Sequence, residues 1–192
     1  MKKLALVLSL VLMFTFVGCS SKTTVKETDA FRFDSKTGYA YSTAPFGIDT
    51  TELESAIGSK LTMVSESPAT APFAYTNYLS KDIVQSADCS GKFDAQFDEN
   101  GKLFSVAFHE QLARGTAEEH FEAASKRFTE TFGAPAVQDD NGIGTQYLEW
   151  QDKSSGTALG LTYSDLGTTD PTLMISVFEK SRYVEAGTGD WK

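Results

Sequence analysis

Cysteine and histidine, the side chains that most often ligate metals or act as nucleophile and base, occur only twice each in 192 residues. His109 and His120 have acidic neighbours in Glu110, Glu118 and Glu119. His109-Glu110-Gln111-Leu112-Ala113 nevertheless lacks the second histidine that a zinc-binding H-E-x-x-H helix requires. No nucleophile elbow, Ser-x-x-Lys pair or glycine-rich phosphate loop occurs, and Gly142-Ile143-Gly144 has no third glycine where a dinucleotide fingerprint needs one. Asp98-Glu99-Asn100-Gly101 and Asp139-Asp140-Asn141-Gly142 do not fit a calcium loop. Setting Gly101 at the invariant glycine puts Gln96 first and Ala107 twelfth, and setting Gly142 there puts Val137 first. Both read as turns. No catalytic, metal-binding or cofactor-binding residue is assigned. Basic side chains are also few: 17 Lys and Arg against 26 Asp and Glu give a formal charge of −9, without the broad positive field that attracts phosphate backbones. Nucleic acid is not an expected partner. No apolar run reaches the roughly 18–20 residues of a spanning helix.

What is present begins at the N-terminus. Lys2 and Lys3 precede an apolar run over residues 4–17, which meets Gly18 and Cys19, so residues 1–18 read as a signal peptide. Phe16-Val17-Gly18-Cys19, followed by Ser20-Ser21-Lys22, resembles the lipobox of bacterial lipoproteins, with Phe16 where the family usually carries leucine or another aliphatic residue. The resemblance implies that Cys19 is the lipidation site. It would become the new N-terminus, carry a diacylglyceryl group and palmitate-type chains, and hold the protein on the extracytoplasmic side of a bacterial membrane. Two or more chains make a stable anchor, since each buried CH₂ contributes about 0.8 kcal/mol. Cys89 is then the one remaining thiol and no intramolecular disulfide forms. It reads either as a buried, inert side chain or as a reactive or intermolecular thiol.

Residues 19–30 are polar and read as the lipidated end and its tether, residues 31–183 as a single domain, and residues 184–192 as a flexible tail with Trp191 in incidental packing. The clearest local signal is a hairpin. Phe93, Ala95 and Phe97 alternate before Asn100-Gly101, and Phe104, Val106 and Phe108 alternate after it. A two-residue loop pairs Phe97 with Phe104, Ala95 with Val106 and Phe93 with Phe108; a loop over residues 98–101 keeps the faces but changes the partners. The clearest helix has Thr116 as N-cap with Glu119 completing a capping box. Its stripe is Ala117, Phe121, Ala124, Phe128 and Phe132, and Gly133 and Pro135 stop it. A shorter helix is expected over residues 49–57, closed by Gly58. Strands are expected over residues 39–43, 73–79, 83–87, 146–151, 157–163 and 173–178.

These elements predict an α+β fold, an antiparallel sheet with one long and one short helix packed on it. The order helix-then-strands, given twice, hints at a duplicated unit. In element order the domain resembles the small envelope-assembly lipoproteins and the β-lactamase-inhibitor-like folds, which implies binding rather than catalysis. The expected function is thus a lipid-anchored, non-enzymatic binding or envelope-assembly module of the cell envelope, contacting the membrane through its anchor and an envelope protein as partner. The other reading is an extracytoplasmic enzyme with a site assembled in space around Cys89 and a histidine. Tyr39, Tyr41, Tyr75, Tyr78, Tyr147 and Tyr163 read as half-buried strand residues or as the lining of a groove for peptide or glycan. Tyr75 and Tyr78 have opposite parity, so one strand face cannot present both.

Overall fold

The alternating segments assemble mostly into antiparallel β-sheet, with three helices, in a computed structural model that describes residues 24–113, 115–167 and 170–192. The signal peptide and Cys19 expected from the sequence lie outside the described residues. In chain order the elements are β1 (Val25–Glu27), β2 (Phe31–Asp34), β3 (Gly38–Tyr41), α1 (Thr50–Ile57), β4 (Leu61–Glu66), β5 (Tyr75–Ser80), β6 (Val84–Gln85), β7 (Ser90–Asp98) and β8 (Leu103–Gln111). They continue with α2 (Thr116–Phe132), β9 (Val137–Asp140), β10 (Thr145–Asp152), β11 (Thr157–Ser164), β12 (Thr172–Phe178) and α3 (Lys180–Glu185). The main sheet runs β4-β5-β7-β8-β12-β11-β10-β9, with β6 paired to β7; β1-β2-β3 form a small second sheet. The two central strands, β8 and β12, each close a run of strands that a helix opened.

The β7–β8 hairpin keeps the expected pairs Ala95 with Val106 and Phe93 with Phe108, but Phe97 pairs with Leu103 rather than Phe104. The reason lies in the loop. Asp98 N–H donates to the Lys102 carbonyl (2.9 Å), so three residues, Glu99-Asn100-Gly101, make the turn, with Gly101 at φ 70°. The third loop residue alone would slip the register by one and turn every side chain of β8 over. A bulge at Phe104 takes up the extra residue. Leu103, Val106 and Phe108 remain in the core, while Phe104 packs against Phe73 (5.6 Å between ring centroids) and below Arg182 (4.9 Å).

All five residues of the α2 stripe are buried as expected, and Gly133 caps the end. The start differs: Gly115, at φ 89°, is the N-cap, and Thr116 lies inside the helix without a side-chain cap. The Ala113 carbonyl accepts from Thr116 N–H (3.1 Å) and Ala117 N–H (3.3 Å), and the Gly115 carbonyl accepts from Glu119 N–H (3.3 Å), the donor that a Thr116 cap would have served. The capping box stands instead on α1, where Asp49 Oδ1 accepts from Glu52 N–H and Glu52 Oε2 from Asp49 N–H, both at 3.0 Å.

Regular structure and contacts continue beyond residues 31–183 at both ends. Val25–Glu27, placed in the tether from sequence, pair with Arg32–Asp34 as a strand, and Ala30 is buried. The buried Asp88 carboxylate secures this end, accepting from Ala30 N–H and the Thr28 hydroxyl (2.5 Å each), with Arg127 Nε at 3.1 Å. The C-terminal residues also make contacts. Residues 180–185 are helical, Lys180 Nζ lies 5.8 Å from the Trp191 ring centroid, and Lys192 N–H donates to Gln151 Oε1 (2.9 Å).

One face of the main sheet carries the core. Phe93, Phe108, Leu161, Ile175 and Val177 point from β7, β8, β11 and β12 into a layer made by α2 and the β2–β3 hairpin. Phe31 sits at its centre, edge-on to Phe108 (6.0 Å) and Phe128 (5.7 Å). Each such aromatic contributes about 1.5–3 kcal/mol by burial, and edge-to-face pairing adds roughly 0.5–1.5 kcal/mol.

Candidate functional site

The opposite side chains of the same strands make the second face, which no α2-like layer covers among the described residues. Strand register places five of them in one row across the sheet: Asp94, Ala107, Ser176, Gly160 and Glu149. A carboxylate stands at each end and three small residues lie between, so the row forms a channel. At about 4.8 Å per strand, its ends are roughly 19 Å apart. Asp94, Ala107, Ser176 and Glu149 of this row line a groove of about 450 Å³, walled on one side by His109, Met174 and Tyr147 and on the other by Gln96, Ser105 and Phe178. Tyr183 of α3 with Thr188 and Gly189 closes one end. Gly160 lies beneath two of the lining residues: a Cβ there would stand 2.9 Å from Ser176 Oγ and 3.4 Å from the Tyr147 ring.

The two acidic ends differ. Glu149 is saturated: its Oε2 accepts from the Tyr147 hydroxyl, and its Oε1 from Gln151 Nε2 and Lys180 Nζ, both at 2.5 Å. Burial together with this bond to a carboxylate pushes the Tyr147 phenol far above its ordinary value. Asp94 has one donor, Asn77 Nδ2 at 3.1 Å, and no ion pair among the described residues. Burial raises its carboxyl above the usual carboxylate range, against the Asn77 bond and the nearby His109. Asn77 Oδ1 is itself buried without a donor.

A second cavity, of about 270 Å³, brings Cys89, Glu110 and His120 together with Asp88 and Arg127 on the covered side of the sheet. His120 Nδ1 lies 3.4 Å from Glu110 Oε2, but the hydrogen-bond neighbour of Cys89 Sγ is Ser86 Oγ at 3.5 Å, not an imidazole. Burial pushes the thiol up to about 12; Ser86 works the other way, and the negative charges of Asp88 and Glu110 add to the rise. A nucleophilic cysteine needs the opposite environment, one that favours thiolate. His109 projects from the other face of β8, into the groove.

The acidic turns use their oxygens on their own backbone. Asp98 Oδ1 accepts from Asn100 and Lys102 N–H, and Asp140 Oδ1 from Gly142 N–H. Among the described residues no group of three or more His, Cys, Asp and Glu side chains is arranged to hold a metal ion. Of the tyrosines considered for a groove, Tyr147 lines it, whereas Tyr39, Tyr41 and Tyr163 belong to the core and Tyr78 packs against it. Sequence reasoning missed Asp94, Tyr183 and the Glu149–Lys180 pair. The available signal was the row of small residues opposite the apolar phase of each strand. Compared with protein-family models, curated proteins and solved structures, the chain matches none of them.

Proposed function

We propose that the protein is a lipid-anchored, extracytoplasmic binding module of a bacterial cell envelope whose ligand sits in the groove on the uncovered sheet face. The groove carries this reading: small floor residues, half-buried polar walls and an aromatic end suit recognition, and its volume falls in the usual range of ligand sites, about 300–1,000 Å³. The N-terminal sequence supports the anchor, with Cys19 as the acylated residue. The α+β organisation supports it too. The runs α1-β4-β5-β7-β8 and α2-β9-β10-β11-β12 meet symmetrically at β8 and β12, which we read as a duplicated helix-then-strands unit with β6 added to the first copy. Such a sheet offers one continuous face across both halves.

Two measurements test the proposal. Labelled palmitate should enter the wild-type protein in cells and be absent from Cys19→Ala; label retained in the variant rules out the anchor. A photo-crosslinking side chain at Ser105, on the groove wall, should give a discrete adduct in cells, while the same group at the exposed Glu122 of α2 should not. Equal adducts from both positions would show that the groove is not the binding surface.

A further inference from the structure

Resting on the assignment of the groove as the binding site, we infer that its ligand is an organic cation: an ammonium group on a small apolar body, with the charge at Asp94 and the body along Met174, Phe178 and Tyr183. The charge inventory points there. Lys180 is committed to Glu149 (2.5 Å), and Arg182 to Asp98 (3.2 Å) and Glu179. Lys92 Nζ donates to the carbonyls of Ser80 (3.2 Å) and Lys81. Each of these cations is spent on a partner, and Asp94 has none of them.

Acceptors also stand unsatisfied at this corner. Among the described residues Asp94 offers two carboxylate oxygens against one amide N–H at 3.1 Å, Asn77 Oδ1 has no donor, and Gln96 Oε1 receives the Tyr183 hydroxyl at 3.3 Å. An ammonium brings three donors and no acceptor, which matches these open acceptors. A carboxylate or phosphate ligand would bring only acceptors and a like charge. The groups facing Asp94 are Asn77 from β5, His109 from β8 and Tyr183 from α3, and none is a permanent cation.

The walls suit the apolar body. The Phe178 and Tyr183 rings stand 5.6 Å apart and nearly perpendicular, so one ring face and one ring edge line the same end. The molecule already uses cation–aromatic contact nearby, with Arg182 over Phe104 and Lys180 over Trp191. Ala107 leaves the floor beside Asp94 low enough for a methylene chain or a ring.

The test uses the full chain in a nonionic maltoside detergent, titrated with phenethylammonium chloride and with two analogues of the same shape, 2-phenylethanol and phenylacetate. Binding is read from backbone amide shifts in NMR spectra. The ammonium should shift the amides around Asp94, Ala107 and Ser176 saturably at millimolar or lower concentration, on the order of tenfold more tightly than the alcohol, with no saturation by the acid. Asp94→Asn should remove that preference, and Asp94→Glu should keep part of it, with thermal midpoints confirming that both variants fold. If the alcohol or the acid binds the groove as well as the ammonium does, the cation assignment is wrong and the groove stands. If the ammonium shifts no groove amide at about 10 mM, or binds equally after Ser105→Tyr narrows the groove, both the cation and the groove assignments fall.

Discussion

The two faces of the main sheet are built from the same strands and differ in almost every physical respect. On the covered face Phe93, Phe108 and Leu161 are fully buried and Ile175 is 1% exposed, all in one cluster with residues of α2 and the β2–β3 hairpin. On the uncovered face the neighbouring positions are Asp94, His109, Gly160 and Met174, polar, small or half-exposed. The strand period of two keeps these populations apart, so the chain specifies its core with one phase and leaves the other free of packing demands. Stability should therefore reside in one face and recognition in the other.

The largest test of that division uses adjacent residues on β8. Phe108 contacts Phe93 at 5.0 Å, Tyr41 at 5.7 Å and Phe31 at 6.0 Å, and Phe108→Ala should cost about 3–5 kcal/mol in urea denaturation. His109→Ala, one residue on and facing the groove, should stay within about 0.5 kcal/mol. Comparable losses from both would mean that the uncovered face also carries the fold.

The uncovered face has one point where a large loss is expected. Glu149 and Lys180 are buried together, with side-chain exposures of 4% and 9%. Lys180→Met leaves a buried carboxylate without its cation and should cost about 3 kcal/mol. Adding Glu149→Gln should restore most of it, because the pair contributes mainly by cancelling its own desolvation. If the double variant is no more stable than Lys180→Met alone, the coupling is absent.

Titration joins the two faces. Burial, the main cause in each case, pushes Tyr39 and Cys89 on the covered side, and Tyr183 on the other, up to about 12. Their ordinary values are 10.0 for tyrosine and 9.0 for cysteine, so the unfolded chain releases these protons first. Above pH 9 it holds fewer protons than the folded chain, and stability falls with rising pH. The stabilisation is complete below pH 9 and is lost progressively up to about pH 12. Urea midpoints measured across that interval should decline steadily; a flat profile would contradict the burial of these groups. Cys89 should react slowly with a thiol reagent at neutral pH and faster only after unfolding.

The covered face was far more legible in the sequence than the groove. A stripe of three phenylalanines and two alanines at helical spacing, and six alternating apolar residues around Asn100-Gly101, identify α2, the hairpin and the side that each buries. Hydrophobic period reports what is hidden from water, so elements that hide little escape it. Val25–Glu27 is exposed throughout, Leu61–Glu66 nearly so, and Val137–Asp140 contributes one half-buried valine. The bulge at Phe104 depends on whether the loop takes two or three residues, which turn chemistry alone leaves open. The groove joins Asp94 of β7 to Tyr183 of α3 across most of the domain, and only strand order brings them together.

Two glycines sharpen the comparison at its smallest scale. A Cβ on Gly91, in the inward phase of β7, would lie 2.3 Å from the His109 carbonyl oxygen and 2.7 Å from its carbon, atoms that cannot move without displacing β8. Gly91→Ala should cost about 1–3 kcal/mol, the usual range for forcing extra volume into packed structure. A Cβ on Gly160 would meet Ser176 Oγ at 2.9 Å, a hydroxyl that can rotate away, and the Tyr147 ring at 3.4 Å, which borders open space. Gly160→Ala should therefore cost under about 1 kcal/mol, while pushing Ser176 and Tyr147, which line the groove, toward its interior. Thermal or urea midpoints for the two variants, measured beside groove occupancy, separate the faces directly. Gly91→Ala should lower stability and leave ligand contacts intact in the folded fraction, and Gly160→Ala should do the reverse. If Gly160→Ala proves the more destabilising, the uncovered face is packed as tightly as the covered one and has no room for a ligand.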